Sequence, residues 1–188
     1  MTPDELLFKT DEVLTKYRIG YMLIGGMAVG SWVKPRSTDD VDIVVLVRRR
    51  DAPRLKQALI ECGARVTALE MRLLYEKRFI RLPIEGTKLD VHVVSTAHDR
   101  EAAGHLGTLN ARGRKIPLCN AEDLILYKLQ AWRLHDQEDI VRIIRGVNDL
   151  NHHYIDSWLD RIAEDTAAPM RERWAEARRL AKEEAGKD

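Results

Sequence analysis

Cysteine is scarce in this chain, at two among 188 residues. Cys62 and Cys119 are too far apart to form a close-spaced metal motif or a disulfide framework, and both read as reduced structural thiols. No run approaches the roughly 18 apolar residues that a membrane-spanning helix needs. The opening Met1-Thr2-Pro3-Asp4-Glu5 has neither the basic nor the apolar segment of a secretory signal. A cytoplasmic protein without a membrane partner is therefore expected. Net charge is nearly absent too, at +1, so the overall balance names no partner. Basic residues do cluster locally, as Arg48-Arg49-Arg50 with Arg54 and Lys56, and as Arg112, Arg114 and Lys115. No aromatic residues interleave them, so solvated faces are favoured over a phosphate-rich partner.

What is present is a globular composition, 45% apolar with 32% charged residues, long enough for one well-cored domain with a small helical appendage. Residues 3–17 have helical periodicity, with Thr2 or Asp4 as the cap. Residues 19–24 read as a strand running into the Gly25-Gly26 turn, and residues 27–33 as a short helix ended by Pro35. The apolar, β-branched stretch 41–47 reads as a buried strand. A helix over 51–62 and strands over 65–69, 77–82 and 88–94 follow. In the last of these, Leu89, Val91 and Val93 share the face opposite Asp90, His92 and Val94. The remainder reads as helices over 121–134, 137–145, 154–164 and 168–185. The order predicts an α/β fold, a mixed central sheet with flanking helices and a helical C-terminal half. Residues 1–118 would form the α/β core, and residues 119–188 a helical part that completes the site and packs or dimerises.

Asp40 and Asp42 are the most informative residues. They sit inside a strand that otherwise reads as buried, where an unpaired carboxylate is costly. Positions i and i+2 of a strand point to one face, so both carboxylates converge on one spot, and an oxygen-lined spot suits a hard divalent cation. Asp90 interrupts another apolar strand in the same manner. Three crowded carboxylates repel unless cations neutralise them, as two Mg²⁺ ions about 3.5–4 Å apart do in phosphoryl transfer. Gly25-Gly26, one short helix upstream, leaves room for a phosphate at a helix N-terminus. Arg36 and Thr38 flank the acidic strand, and Arg36 faces either a triphosphate or Asp39. His92 shares the face of Asp90 and reads as a structural hydrogen-bonding residue. Trp132, Trp158 and Trp174 read as core or interface residues. On one continuous helix Lys128, Trp132 and Asp139 fall within a single stripe.

The string Ile24-Gly25-Gly26-Met27-Ala28-Val29, with Arg36, Thr38, Asp40-Val41-Asp42-Ile43 and the later Leu89-Asp90-Val91, resembles the signature of the polymerase-β-type nucleotidyltransferase superfamily. Ala121-Glu122-Asp123-Leu124-Ile125, followed by Lys128, Leu129, Ala131, Arg133, Asp136 and Asp139, is similar to its AbiEii-like branch. That branch includes toxins of toxin–antitoxin and phage-defence systems. The resemblance spans residues 3–145 and implies the nucleotidyltransferase fold. It implies Asp40, Asp42 and Asp90 as catalytic metal ligands for Mg²⁺ (two ions, with Mn²⁺ as a substitute), with Asp90 also activating an acceptor hydroxyl. It further implies Gly25 and Gly26 at the phosphates of an NTP, Lys128 at phosphate, and Asp136 or Asp139 organising base, ribose or the lysine. The acceptor would be an RNA or tRNA end, a protein or a small molecule, and a toxin would have an antitoxin partner. The alternatives are a catalytically silent nucleotide-binding or regulatory module of the same fold, and a two-metal nuclease using the same acids.

Overall fold

A computed structural model describes residues 1–186. The last two positions of the expected 119–188 helical part lie outside the described residues. In chain order the elements are α1 (Pro3–Lys16), β1 (Tyr21–Ile24), α2 (Gly25–Trp32), β2 (Asp40–Val45), α3 (Ala52–Glu61), α4 (Ala68–Lys77), β3 (Phe79–Ile84), β4 (Thr87–Val93) and α5 (Ala97–Ala102). They continue with β5 (Gly107–Ala111), β6 (Arg114–Leu118), α6 (Ala121–Ala131), α7 (Leu134–Gly146), α8 (His152–Thr166) and α9 (Met170–Ala185). Two compact units result. The first holds Met1–Met27 and Arg36–Cys119, and the second holds Ala28–Pro35 with the chain from Asn120 onward. Among the described residues no helix is long and apolar enough to cross a membrane.

The first unit is built on a mixed sheet of order β3-β4-β2-β1-β6-β5. β2 runs parallel to β4 and antiparallel to β1, and β3 closes an antiparallel hairpin on β4. The β2/β4 register pairs Val41, Ile43 and Val45 with Leu89, Val91 and Val93, and all six are buried. Each such side chain contributes about 1.5–3 kcal/mol by leaving water, which fixes the register because a one-residue slip would expose the whole row. α1 packs on β2 and β4, covering this sheet with Leu6, Leu7, Val13 and Leu14. Its start is the expected Thr2, whose hydroxyl accepts from the Glu5 N–H while Glu5 reaches back to the Thr2 N–H. The α/β plan, the mixed sheet and the helical C-terminal half are thus as the sequence led us to expect.

Some elements differ from the expectation. Residues 65–69 are not a strand. Thr67 caps α4 in a box with Glu70, and Met71 and Leu74 bury the helix's inner side. The short capping motif outweighs the β-branched Val66 and Thr67 that suggested extension. The hairpin β5–β6 carries no strong period-2 apolar pattern, and its basic residues read as loop. It closes through Arg112 and Gly113, both at positive φ (49° and 75°), the two-residue geometry that matches strand twist.

The second unit is helical. α6 was expected to run on to residue 134 but ends at Ala131, where Trp132 takes a left-handed conformation (φ 52°). α7 then begins at Leu134, three residues before its expected start, with the Asp136 side chain accepting from the Arg133 N–H. α8 and α9 pack on each other and on α6. Trp158 and Trp174 are buried there, and the Trp174 indole N–H donates to Asp156 at 2.9 Å.

Candidate metal and nucleotide site

In the first unit the pairing Asp42↔Asp90 across parallel β2 and β4 sets the third acid beside the first two. One carboxylate oxygen from each of Asp40, Asp42 and Asp90 lies within 4.8 Å of the others. Asp90 is buried, while Asp40 and Asp42 are part-exposed, so the cluster opens to solvent on the β2 side. Three anionic oxygen donors, converging from rigid strands, are the donor set that a hard divalent ion takes.

Gly25 shows how closely the turn is fitted to this cluster. Strand pairing places Ile24 opposite Asp42, and Gly25 follows with φ +70°. A Cβ there would lie 2.0 Å from Asp42 Oδ2, so only glycine fits, on backbone and on space alike. At Gly26 a Cβ would come 3.1 Å from Thr38 Oγ1 and 3.2 Å from Arg36 Nη2. Thr38 in turn donates to Asp40 Oδ1 at 2.8 Å. The first unit therefore brings together seven residues singled out from sequence: Gly25, Gly26, Arg36, Thr38, Asp40, Asp42 and Asp90.

Arg81 is the addition that sequence reasoning missed. Its Nε donates to Asp90 Oδ1 at 2.8 Å and its Nη2 to Asp90 Oδ2 at 2.6 Å, while Nη2 lies 3.7 Å from Asp40 Oδ2. The Asp90 hydrogen bonds, then the charges of Asp90, Asp40 and Asp42, hold the guanidinium above its already high range. The signal was recoverable. A two-residue hairpin at Glu85-Gly86, both at positive φ, pairs Ile84 with Thr87, and counting outward makes Arg81 the partner of Asp90. His92, on the same face, packs against Phe79 with ring centroids 4.8 Å apart and the planes tilted by 41°.

Lys128, Asp136 and Asp139 form a separate cluster inside the second unit. All three are buried, and Lys128 Nζ lies 3.2 Å from Asp136 Oδ1 and 2.8 Å from Asp139 Oδ2. The single-helix stripe expected for Lys128 and Asp139 does not exist. The left-handed Trp132 instead lets α7 start afresh, and this turn brings both acids to the lysine. Arg133 donates to Asp136 at 2.7 Å, and Arg142 to Asp139 at 3.3 Å. Arg142 also donates to the Lys34 carbonyl. Burial works to raise the Asp136 pKa, but the Arg133 hydrogen bond and the charges of Lys128 and Arg133 outweigh it and hold the carboxyl below its ordinary range.

This architecture, a mixed sheet with paired acids on β2, a third acid on β4 and a glycine turn between β1 and α2, is the nucleotidyltransferase fold. The crystal structure of the lincosamide antibiotic adenylyltransferase LnuA, lincomycin-bound, is similar to the chain at TM-score 0.52 and 19% identity, covering 76% of this chain and 97% of that one. The solution structure of the antibiotic-resistance factor ANT(2'')-Ia aligns at TM-score 0.53 and 18% identity, over 97% of this chain and 92% of that one. The crystal structure of ANT(2'')-Ia in complex with adenylyl-2''-tobramycin aligns at TM-score 0.51 and 18% identity, over 94% and 97%. No protein-family model and no curated protein matches the sequence.

Proposed function

We propose that the chain transfers a nucleoside monophosphate from an NTP to an acceptor hydroxyl. The observation that carries this reading is the convergence of Asp40, Asp42 and Asp90 within 4.8 Å, beside a glycine that could not be any other residue. Asp40, Asp42 and Asp90 would hold divalent metal, Mg²⁺ foremost, as two ions. Bound metal supplies charge neutralisation at the phosphates. Gly25 and Gly26 would hold the phosphates by their backbone at the start of α2, with Arg36 and Thr38 flanking them. The resemblance gives Lys128 a phosphate role, and within the second unit Asp136 and Asp139 hold it. The acceptor oxygen bonds to the α-phosphorus as the bond to the α,β-bridging oxygen breaks, and pyrophosphate leaves. The hydroxyl proton passes to Asp90, whose oxygens each keep a lone pair beyond the one that Arg81 engages. Positioning and charge neutralisation supply most of the rate.

A small hydroxylated molecule is the first acceptor to test, since the similar proteins include one bound to lincomycin and one bound to adenylyl-2''-tobramycin. A second reading follows from the Lys128, Asp136 and Asp139 cluster, whose string is similar to the AbiEii-like branch. In it the acceptor is RNA or protein and the chain is a toxin with an antitoxin. The test supplies each α-labelled NTP with Mg²⁺ to aminoglycosides and lincosamides, to total RNA and to total protein. Label should enter one fraction and vanish with Asp42→Asn. No label together with no NTP binding would point to the silent module, and RNA cleavage without NTP to a nuclease.

A further inference from the structure

An open cavity of about 450 Å³ lies in the first unit, within the range of about 300–1,000 Å³ typical of ligand sites. Val47, Val93 and Val94 contribute its apolar part, at the C-terminal ends of β2 and β4. Asp42 lies nearer the opposite end of β2. Val47 is five positions beyond Asp42, about 16 Å along an extended chain, and Val93 three beyond Asp90, about 10 Å, and none of the three acids lines the cavity.

The remaining lining is strongly basic. Arg48, Arg49, Arg78 and Arg100 all border the cavity, with the Tyr75 ring beside them. The nearby carboxylates have hydrogen-bond or ion-pair partners other than the four guanidinium groups. Asp51 accepts from the Arg48 backbone N–H and from Arg54, both at 3.1 Å. Asp99 accepts from the Ser95 and Thr96 N–H groups at 2.7 and 2.8 Å. Glu76 pairs with Arg72 at 3.3 Å. Among the described residues no carboxylate pairs with the four guanidinium groups. One of them is oriented by a backbone acceptor. Arg100 donates to the Ser95 carbonyl at 3.4 Å, and Arg48 offers its own carbonyl to the Tyr75 hydroxyl at 3.5 Å.

Arg78 adds an independent point. It ends α4 in the left-handed conformation, φ 64°, where glycine is the favoured residue. An arginine at that position adds nothing to the turn, yet it brings a fourth guanidinium to the cavity. All four arginines are solvent-exposed, so water screens their mutual repulsion, and the cluster presents a local positive field to an anion. Guanidinium groups pair bidentately with phosphate, and four of them call for more than one phosphate.

We propose that this cavity binds a ligand carrying two or more consecutive phosphate groups. A free oligophosphate and the backbone of a single RNA strand both offer that chemistry. Binding of inorganic tripolyphosphate and of a labelled 20-nucleotide single-stranded RNA to the full chain would be measured in EDTA, which silences any divalent-dependent site. The paired substitution Arg49→Ala with Arg100→Ala should weaken binding of the true ligand class at least about tenfold. Arg78→Gly should do the same while leaving the melting temperature unchanged or higher, because glycine suits its φ. Asp42→Asn should bind as the parent does. Loss for RNA alone, with a salt slope shallower by about 1.4 in the double variant, assigns a strand. Loss for tripolyphosphate alone assigns a free oligophosphate. Unchanged binding of both probes, or a fall in stability as the whole effect of Arg78→Gly, overturns the proposal.

Discussion

Arg81 competes with any cation for the carboxylates that define the candidate metal site. Its fork engages both oxygens of the buried Asp90 and reaches Asp40 at 3.7 Å. A divalent ion entering between Asp40, Asp42 and Asp90 meets a positive charge already in place, so the guanidinium opposes binding by Coulomb repulsion and by holding lone pairs. Arg81→Ala should therefore raise affinity for Mn²⁺, by about tenfold, as read by the fall of the free-ion signal in an electron paramagnetic resonance titration. Without metal the same variant leaves Asp90 without its cation, and it should lose about 1–3 kcal/mol of stability, less than a fully buried pair because Arg81 is half exposed. Added Mn²⁺ should restore that loss. Unaltered Mn²⁺ affinity would show that Arg81 does not contend for the site. The acids themselves were legible from sequence because a carboxylate in an apolar β-branched run is costly enough to demand a reason. Arg81 was not, because an arginine in the exposed phase of an edge strand needs none, and its meaning appears only through the hairpin register.

At the scale of elements, α6 and α7 are joined by an ion cluster rather than by an apolar seam alone. Lys128 on α6 meets Asp136 and Asp139 on α7, and all three are buried. Removing one partner of a buried pair leaves an uncompensated charge, a loss of about 3–5 kcal/mol. Lys128→Met, which keeps most of the length and removes the charge, should cost less than that, about 1–3 kcal/mol in chemical denaturation, because Arg133 and Arg142 still pair with Asp136 and Asp139. Asp136→Asn with Asp139→Asn added to Lys128→Met should recover much of it, since no buried charge is then orphaned. A single variant as stable as the parent would mean that the acids find water instead of the lysine. The helices were legible from their periodicity, but the break between them was not. Nothing in Ala131-Trp132-Arg133 is a glycine or proline, and the left-handed tryptophan has its carbonyl bonded by Gln137 at 3.2 Å and its ring under Arg173 of α9 at 5.7 Å, contacts that the helical periodicity does not show. The β5–β6 hairpin was hidden for a different reason: its buried row is only Ile116 and Leu118 on β6, and the edge strand β5 buries no residue fully, so the alternation is too short to show.

For the whole molecule, pH reads the two units separately. Asp136, in the second unit, has its folded-state pKa held below the ordinary value. The unfolded chain therefore binds the proton first as pH falls, and the stabilisation, complete above about pH 5, is lost through the ordinary carboxylate range near 3.9 and below it. Cys62, in the first unit, behaves in the opposite sense. Burial pushes its thiol up to about 11 from the usual 9.0, against small lowering effects from Thr10 and Lys9. In that case the unfolded chain loses its proton first, so stability falls as pH rises from about 9 towards 11, by on the order of 2–3 kcal/mol. Urea midpoints taken from pH 3 to pH 11 should trace a plateau with a decline on each side. Asp136→Asn should flatten part of the acid decline and leave the alkaline one alone, while Cys62→Ala should flatten part of the alkaline decline and leave the acid one alone. If either substitution changed both declines equally, the two groups would not be reporting on their own units. Cys62 should also resist thiol reagents at neutral pH until the chain unfolds, because a buried, protonated thiol is a poor nucleophile.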